Sequence, residues 1–391
     1  MTESFDVVIA GGGAVGSAVA YFLMQEPGFD GTVAVVEKDP TYRVASSTLS
    51  AGGIRQQYSA EVNIRIGQFG IGFMRAAGET LAVDGEAPAL GLREQGYLFL
   101  ASPDGLGHLE ANHATQRRLG VAVDMLPVDT LSARFPWLSG EGLAAGSLGR
   151  DEGWLDGYSL VQAFRRKARA LGATYIDGEV VGLTRAGNRV SEVHLADGTR
   201  LSCGTVVNAA GARSRAVAEM AGLSLPVEAR KRCVFVIACR DPPPACPLVI
   251  DPSGVWFRPE GGHFICGVSP PAAHDREDFV LEVDHDIFPD DLWPVLAARV
   301  PAFEAVKVVN SWAGHYEYNT FDQNGILGVQ PDVPNLIFAT GFSGHGLQQS
   351  PAVGRGISEL IAFGEYRALD LRDLSIARIV EGRPLKERNI V

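Results

Sequence analysis

Residues 5–18 read FDVVIAGGGAVGSA, and Glu37 follows 21 residues after Gly16. The stretch opens on a short apolar run, 5–10, of the kind a buried parallel strand shows. Gly11, Gly13 and Gly16 then fit the spacing G-x-G-x-x-G. In that pattern Gly11 suits a tight turn, Gly13 leaves room for a pyrophosphate against the backbone, and Gly16 lets helix and strand pack closely. Residues 17–25 continue at helical spacing, and 32–37 read as a second buried strand. A helix that opens on the glycine turn presents unpaired N–H groups to a phosphate. Glu37, at the end of the second strand, can accept both ribose hydroxyls of an adenosine and would repel a 2′-phosphate. The stretch therefore predicts a βαβ dinucleotide-binding unit. By itself it does not separate FAD from NAD.

The apolar run 7–24 could pass for a signal peptide or membrane anchor. Glu3 and Asp6 precede it without Lys or Arg, and Gly11, Gly12, Gly13 and Gly16 interrupt it. The reading is a cytoplasmic protein with no membrane span. A chain of 391 residues suggests two domains. A net charge of −12 gives no basic face, which argues against a nucleic-acid partner. Cys203, Cys233, Cys239, Cys246 and Cys266 form no CxxC pair and no zinc spacing, so neither a metal site nor a disulfide framework is expected.

Further along, 97–101 reads as a strand and 106–119 and 128–135 as helices. A helix over 158–171 has Asp156 or Ser159 as its cap. Runs 179–183 and 190–195, joined through Gly187 and Asn188, predict a hairpin. A buried strand at 205–209 enters a second glycine turn at Ala210 and Gly211, followed by a helix over 213–221. Residues 233–318 alternate in short runs separated by Pro and Gly, which predicts an antiparallel sheet. A last buried strand at 335–339 leads into Gly341-Phe342-Ser343-Gly344-His345-Gly346 and a helix over 353–363. Such a turn can place N–H groups beside an anionic flavin edge, and three glycine turns together favour FAD. An NAD-dependent dehydrogenase would need a second βαβ half, which the β-rich stretch does not supply.

These residues together resemble the D-amino acid oxidase (DAO) superfamily of FAD-dependent oxidoreductases, in its sarcosine oxidase and dimethylglycine dehydrogenase branch. The likeness rests on FDVVIAGGGAVGSA with VVEKD, on DEGWLDGYSL at 151–160, and on NTFDQNGILG with ATGFSGHGLQQSPAVGRGISELI near the C-terminus. It implies an α/β plus antiparallel β class: a Rossmann-type (GR2) FAD-binding domain over 1–90, 150–222 and 325–391, with an inserted β-rich substrate domain over 91–149 and 223–324. It assigns to FAD Gly11, Gly13, Ala14, Val15, Gly16, Glu37, Lys38, Ser46, Ser47, Thr48, Val180, Ala210, Gly211, Gly341 and Gly344. His345, Gly346, Leu347 and Gln348 join them at the flavin's pyrimidine edge.

Arg55 matches the arginine that binds the substrate carboxylate in sarcosine oxidase; a surface ion pair is the plain alternative. His315, Tyr316, Tyr318 and His345 are candidates for the pocket wall. The departures from the family are informative. His315 and Ser50 stand where relatives attach flavin through Cys or His, so FAD is expected to be non-covalent. Ile265 aligns with the lysine thought to activate oxygen, which favours a dehydrogenase over an oxidase. Gln348 replaces a second carboxylate-binding lysine. The implied reaction is oxidation of the C–N bond of a small amine or amino acid (N-methyl, secondary or D-), with electrons passing to a quinone, an electron-transfer flavoprotein or O₂. A reading from another class is an assembly factor or scaffold for a respiratory complex, with structural FAD. The absence of an Arg-rich leader favours a non-mitochondrial setting.

Overall fold

The apolar run ahead of the first glycine turn becomes the central strand, Thr2–Ala10, of the computed structural model, which describes residues 2–388. Val33–Glu37 lies parallel to it on one side and Arg200–Asn208 on the other. Thr174–Asp177 and Val333–Thr340 extend the parallel sheet at its two ends, and Ile326–Gln330 adds an antiparallel edge strand. Val7, Val8, Ile9 and Ala10 are at most 1% exposed, because helices cover one face and the segments 180–195 and 214–221 cover the other, so no polar alternation is needed. The hairpin Val180–Ala186 and Arg189–Leu195 joins this sheet against Arg200–Asn208.

A second, eight-stranded sheet runs in the order Lys307–Asn319, Val227–Ala238, His263–Gly267, Trp256–Glu260, Leu248–Ile250, Tyr97–Ala101, Ala145–Gly149, Val123–Pro127. All neighbours are antiparallel except Leu248–Ile250 with Tyr97–Ala101. It has its own core, with Phe235, Phe257 and Phe303 buried at its centre. The α/β plus antiparallel β class read from the sequence is the class observed. Among the described residues, no helix is long and apolar enough to cross a membrane; the run 7–24 is divided between a strand and a helix.

Two helices bring the parallel sheet to the site. Ala14–Gln25 follows the central strand, and Gly346–Phe363 follows Val333–Thr340. They touch closely: a Cβ on Gly354 would fall 2.7 Å from the Cβ of Ala18. Both therefore open at the carboxyl end of the parallel strands, where open α/β sheets bind ligands. Gly11 makes the turn between strand and helix with φ +99°, and a Cβ on Gly16 would stand 1.9 Å from the Gly11 carbonyl oxygen. No residue with a side chain fits there.

Several elements run past their sequence-read limits. The last long helix begins at Gly346, not 353, although Pro351 stands inside it. The carbonyl of Leu347, which the missing Pro351 N–H cannot reach, accepts the Ser350 hydroxyl at 2.8 Å. The helix Glu61–Arg75 has no counterpart in the sequence reading. Its cap is remote: the Glu387 carboxylate accepts N–H of Ser59 at 2.7 Å, N–H of Ala60 at 3.1 Å and Nδ2–H of Asn63 at 2.8 Å.

A buried ion pair ties the C-terminal segment to this frame. Arg378 donates from Nε and Nη2 to Asp322 at 2.8 and 2.9 Å, and both residues are under 9% exposed. Asp322→Ala leaves the guanidinium buried without its counter-charge. It should cost about 3–5 kcal/mol in urea unfolding. A loss below about 1 kcal/mol would mean that water or another acid already serves Arg378.

Candidate active site

The first glycine turn opens on a space of about 460 Å³ lined by Gly11, Glu37, Lys38, Val180, Ala210 and Arg213. Glu37 accepts the Gly12 N–H at 2.8 Å and the Asp39 N–H at 2.9 Å, so its carboxylate is fixed at the turn. On the other side of the turn the Ala14 N–H reaches the Ser47 hydroxyl at 3.3 Å. The nearest atom to a Cβ on Gly13 would be that same hydroxyl, 3.8 Å away, which leaves the backbone open there. Thr48 Oγ1 is buried, with no hydrogen-bond partner among the described residues.

A larger cleft of about 1260 Å³ continues from this point between the two sheets. Val15, Ser46, Ser47 and residues 344–348 line it from the side of the parallel sheet, and Arg232, Val234, Trp256, His315 and Tyr316 from the antiparallel one. Arg55 lines it too, yet is only 2% exposed. The surface ion pair that was the alternative for Arg55 is therefore not found. Its guanidinium lies 4.5 Å from the Tyr58 ring centre and 5.1 Å from that of Phe99. The Arg55 N–H donates to Gln348 Oε1 at 2.8 Å, and its Nη2 lies 2.8 Å from His345 Nε2.

Arginine only donates, so His345 Nε2 must accept and the imidazole carries its proton on Nδ1. Burial, and then the adjacent Arg55 charge, hold its pKa down to about 3. Gln348 also donates to the Tyr58 hydroxyl, which locks the start of the helix to the Arg55 loop. From below, Glu152 accepts the N–H groups of Gln56 at 2.7 Å and Gln57 at 3.1 Å. Burial pushes its pKa up to about 7.

The turn before that helix is shaped by contact with the second sheet. Gly344 has φ +96°, and a Cβ there would come within 2.4 Å of the Tyr316 ring. Ser46, Leu347 and Gly346 face the cleft with Tyr316 and His315. Gly16, Gly211 and Gly341 line neither space; Gly16 packs inside its helix against the Gly11 carbonyl, and Gly211 and Gly341 hold turns at φ +56° and +75°. Tyr318 also lines neither. It lies two residues farther along its strand than Tyr316, with its ring 5.1 Å from the Arg230 guanidinium, so it is not part of the pocket wall. Ile265 does not reach the cleft either. It is 1% exposed within the sheet, paired across strands with Val236 and with the buried Arg258.

The sequence reading missed Glu317, which faces the cleft beside the helix start. Its Oε2 accepts the Thr340 hydroxyl at 2.7 Å and the Gly341 N–H at 3.0 Å. Burial raises its pKa to about 7. It also did not name Glu152 as a site residue. Glu152 falls inside the stretch DEGWLDGYSL and Glu317 in no quoted stretch, but the role of each depends on donors from other segments of the chain.

Residues 6–360 match the family described as FAD dependent oxidoreductase. The chain belongs to that family, and its cofactor is FAD. It is 45% identical to FAD-dependent oxidoreductase domain-containing protein 1 of Xenopus laevis, over 100% of this chain and 85% of that protein. It is 28% identical to sarcosine oxidase subunit beta of Rhizobium meliloti, over 92% of this chain and 85% of that one. Among solved structures, L-proline dehydrogenase from P. horikoshii superposes with a TM-score of 0.88 at 25% identity, covering 98% of this chain and 100% of that chain.

The neutral state of His345 has a measurable consequence. In the unfolded chain an imidazole titrates near 6.5, and in the folded protein His345 stays neutral to about 3. Between these values the unfolded state binds the extra proton, so stability falls as pH drops through that window and is unaffected above it. His345→Gln keeps an acceptor for Arg55 but removes the titration. Denaturant unfolding at pH 7 and pH 5 should show a stability loss about 2 kcal/mol smaller in the variant. Equal losses would mean that His345 is already protonated in the fold.

Proposed function

We propose that the cleft oxidises the C–N bond of a small amine or amino acid, N-methyl, secondary or D-, and that Arg55 holds the substrate's carboxylate. The observation that carries this reading is a guanidinium sunk into the cleft wall. At the start of the helix Gly346–Phe363, His345 meets the guanidinium and Gln348 holds the Arg55 backbone N–H. A guanidinium at the cleft presents a planar fork that matches a carboxylate through two parallel hydrogen bonds.

The residues around both spaces fit FAD. The glycine turn and the smaller space take the adenosine end, with Glu37 at the ribose and Val180 at the adenine. Ser46, Ser47 and the unsatisfied Thr48 hydroxyl fall along the pyrophosphate, and residues 344–348 at the flavin. When bound, FAD supplies a two-electron acceptor for hydride. The protein's part is orientation. Arg55 fixes the carboxylate, Tyr316 and Trp256 close the pocket around the rest of the substrate, and the carbon next to nitrogen loses its hydride. The resulting imine is hydrolysed by water.

Two finer assignments belong to this proposal. The cofactor is non-covalent, supported by His315 and Ser50 at the positions where relatives form their links. The enzyme works as a dehydrogenase with a quinone or electron-transfer flavoprotein as acceptor, supported by a cleft lining that carries no lysine among the described residues.

Arg55→Met should lower the efficiency of anaerobic flavin reduction by about 30- to 1000-fold with the best carboxylated amine. FAD content should stay the same. Full activity in the variant would place the carboxylate elsewhere. If no carboxylated amine reduces the parent flavin, the amino acid reading fails and a structural flavin is the better account.

A further inference from the structure

A second arginine lines the same cleft. Arg232 lies on the strand Val227–Ala238, is 9% exposed, and sits 5.0 Å from the Tyr316 ring centre. Asp275 fills its fork: Nη1 donates to Oδ1 at 2.7 Å and Nη2 to Oδ2 at 2.9 Å. Nη1 also donates to the Lys231 carbonyl at 2.9 Å, and Nε is buried with no partner among the described residues. Asp275 is carried by the irregular segment between Gly267 and Ile287, which among the described residues makes one β-bridge, Arg230 with Glu277. Charged contacts hold that segment down, including Lys231 with Asp278 at 2.9 Å and Arg215 with Glu277 at 2.8 Å.

We propose that Arg232 is a second anion anchor of the cleft, which takes the distal carboxylate of a dicarboxylic amine or amino acid in exchange for Asp275. This rests on the reading of Arg55 as the first anchor. The Asp275 contact shows which anion the fork accepts: a carboxylate, bound through two parallel hydrogen bonds. An exchange of one carboxylate for another never leaves Arg232 buried without a counter-charge, so the step avoids the penalty that makes buried ion pairs hard to open. The displaced Asp275 belongs to no sheet or helix, and its side chain can swing toward Arg230, 3.9 Å away, while the segment stays held. The substrate class is therefore an amine with a carboxylate at each end, one on Arg55 and one on Arg232. Asp275 acts as the internal competitor that keeps monocarboxylates from gaining anything at the second position.

The test uses the FAD-loaded protein and unreactive acids, read by the shift they cause in flavin absorbance. Acetate and propanoate are compared with malonate, succinate and glutarate. The best dicarboxylate should bind at least about tenfold more tightly than the best monocarboxylate. Arg232→Met should abolish that preference and leave monocarboxylate affinity within about twofold. Asp275→Asn, which keeps Arg232 in place, should tighten dicarboxylates by about threefold or more and leave monocarboxylates unchanged. Equal affinities in the parent, or an equal weakening of both classes by Arg232→Met, would overturn the proposal and leave Arg232–Asp275 as a structural strap. So would dicarboxylate binding that Asp275→Asn leaves unchanged or weakens. If Arg55→Met leaves monocarboxylate binding intact while Arg232→Met still removes the dicarboxylate preference, the Arg55 reading fails and the second anchor stands. If neither class shifts the spectrum, both fail.

Discussion

A buried positive charge governs the architecture of the site. The Arg55 guanidinium lies in a wall of Tyr58, Tyr97 and Phe99, where an ion without partners would cost several kcal/mol. Gln348 and His345 hold its backbone and side chain from the helix side, Gln348 also binds the Tyr58 hydroxyl of the same loop, and Glu152 fixes the next two residues from beneath. These contacts require the start of the helix Gly346–Phe363 to stand within hydrogen-bond reach of the loop at 55–58. That demand reaches back into the fold. The bare surface of Gly354 lets this helix settle onto Ala18, and the Ser350 hydroxyl compensates for Pro351 in its second turn.

The electrostatics follow the same logic. His345 stays neutral because it is buried beside a fixed cation, so Arg55 meets an acceptor on His345 rather than a second positive charge. The two acids near neutrality, Glu152 and Glu317, occupy different places. Glu152 supports the Arg55 loop from within the core, while Glu317 faces the cleft and ties the end of Val333–Thr340 to the strand Lys307–Asn319. A carboxyl raised to about 7 in each place marks burial as the dominant influence over local hydrogen bonding.

What the sequence made legible was local. The strand, glycine turn and helix at 2–25 are encoded in consecutive residues, and so are the Gly341–Gly346 turn and the Arg55 loop. The helix Glu61–Arg75 was not legible, because its first residue follows Ala60, a poor cap, and its capping carboxylate arrives from Glu387. Tyr316 and Tyr318 share a strand face, so alternation could not say that only the first reaches the cleft. Ile265 could be aligned but not placed, since its depth in the sheet depends on pairing with Arg258 and Val236. Arg232 and Glu317 come to line the cleft through the register of Val227–Ala238 against Lys307–Asn319, which brings two distant strands together.

The most direct test of this account is a crystal structure of the FAD-loaded protein with an unreactive carboxylate such as acetate. The account predicts the carboxylate within hydrogen-bond distance of the Arg55 guanidinium, in the cleft that residues 344–348 and Tyr316 enclose. A carboxylate bound instead at Arg258, or a flavin ring that occupies the space in front of Arg55, would contradict it.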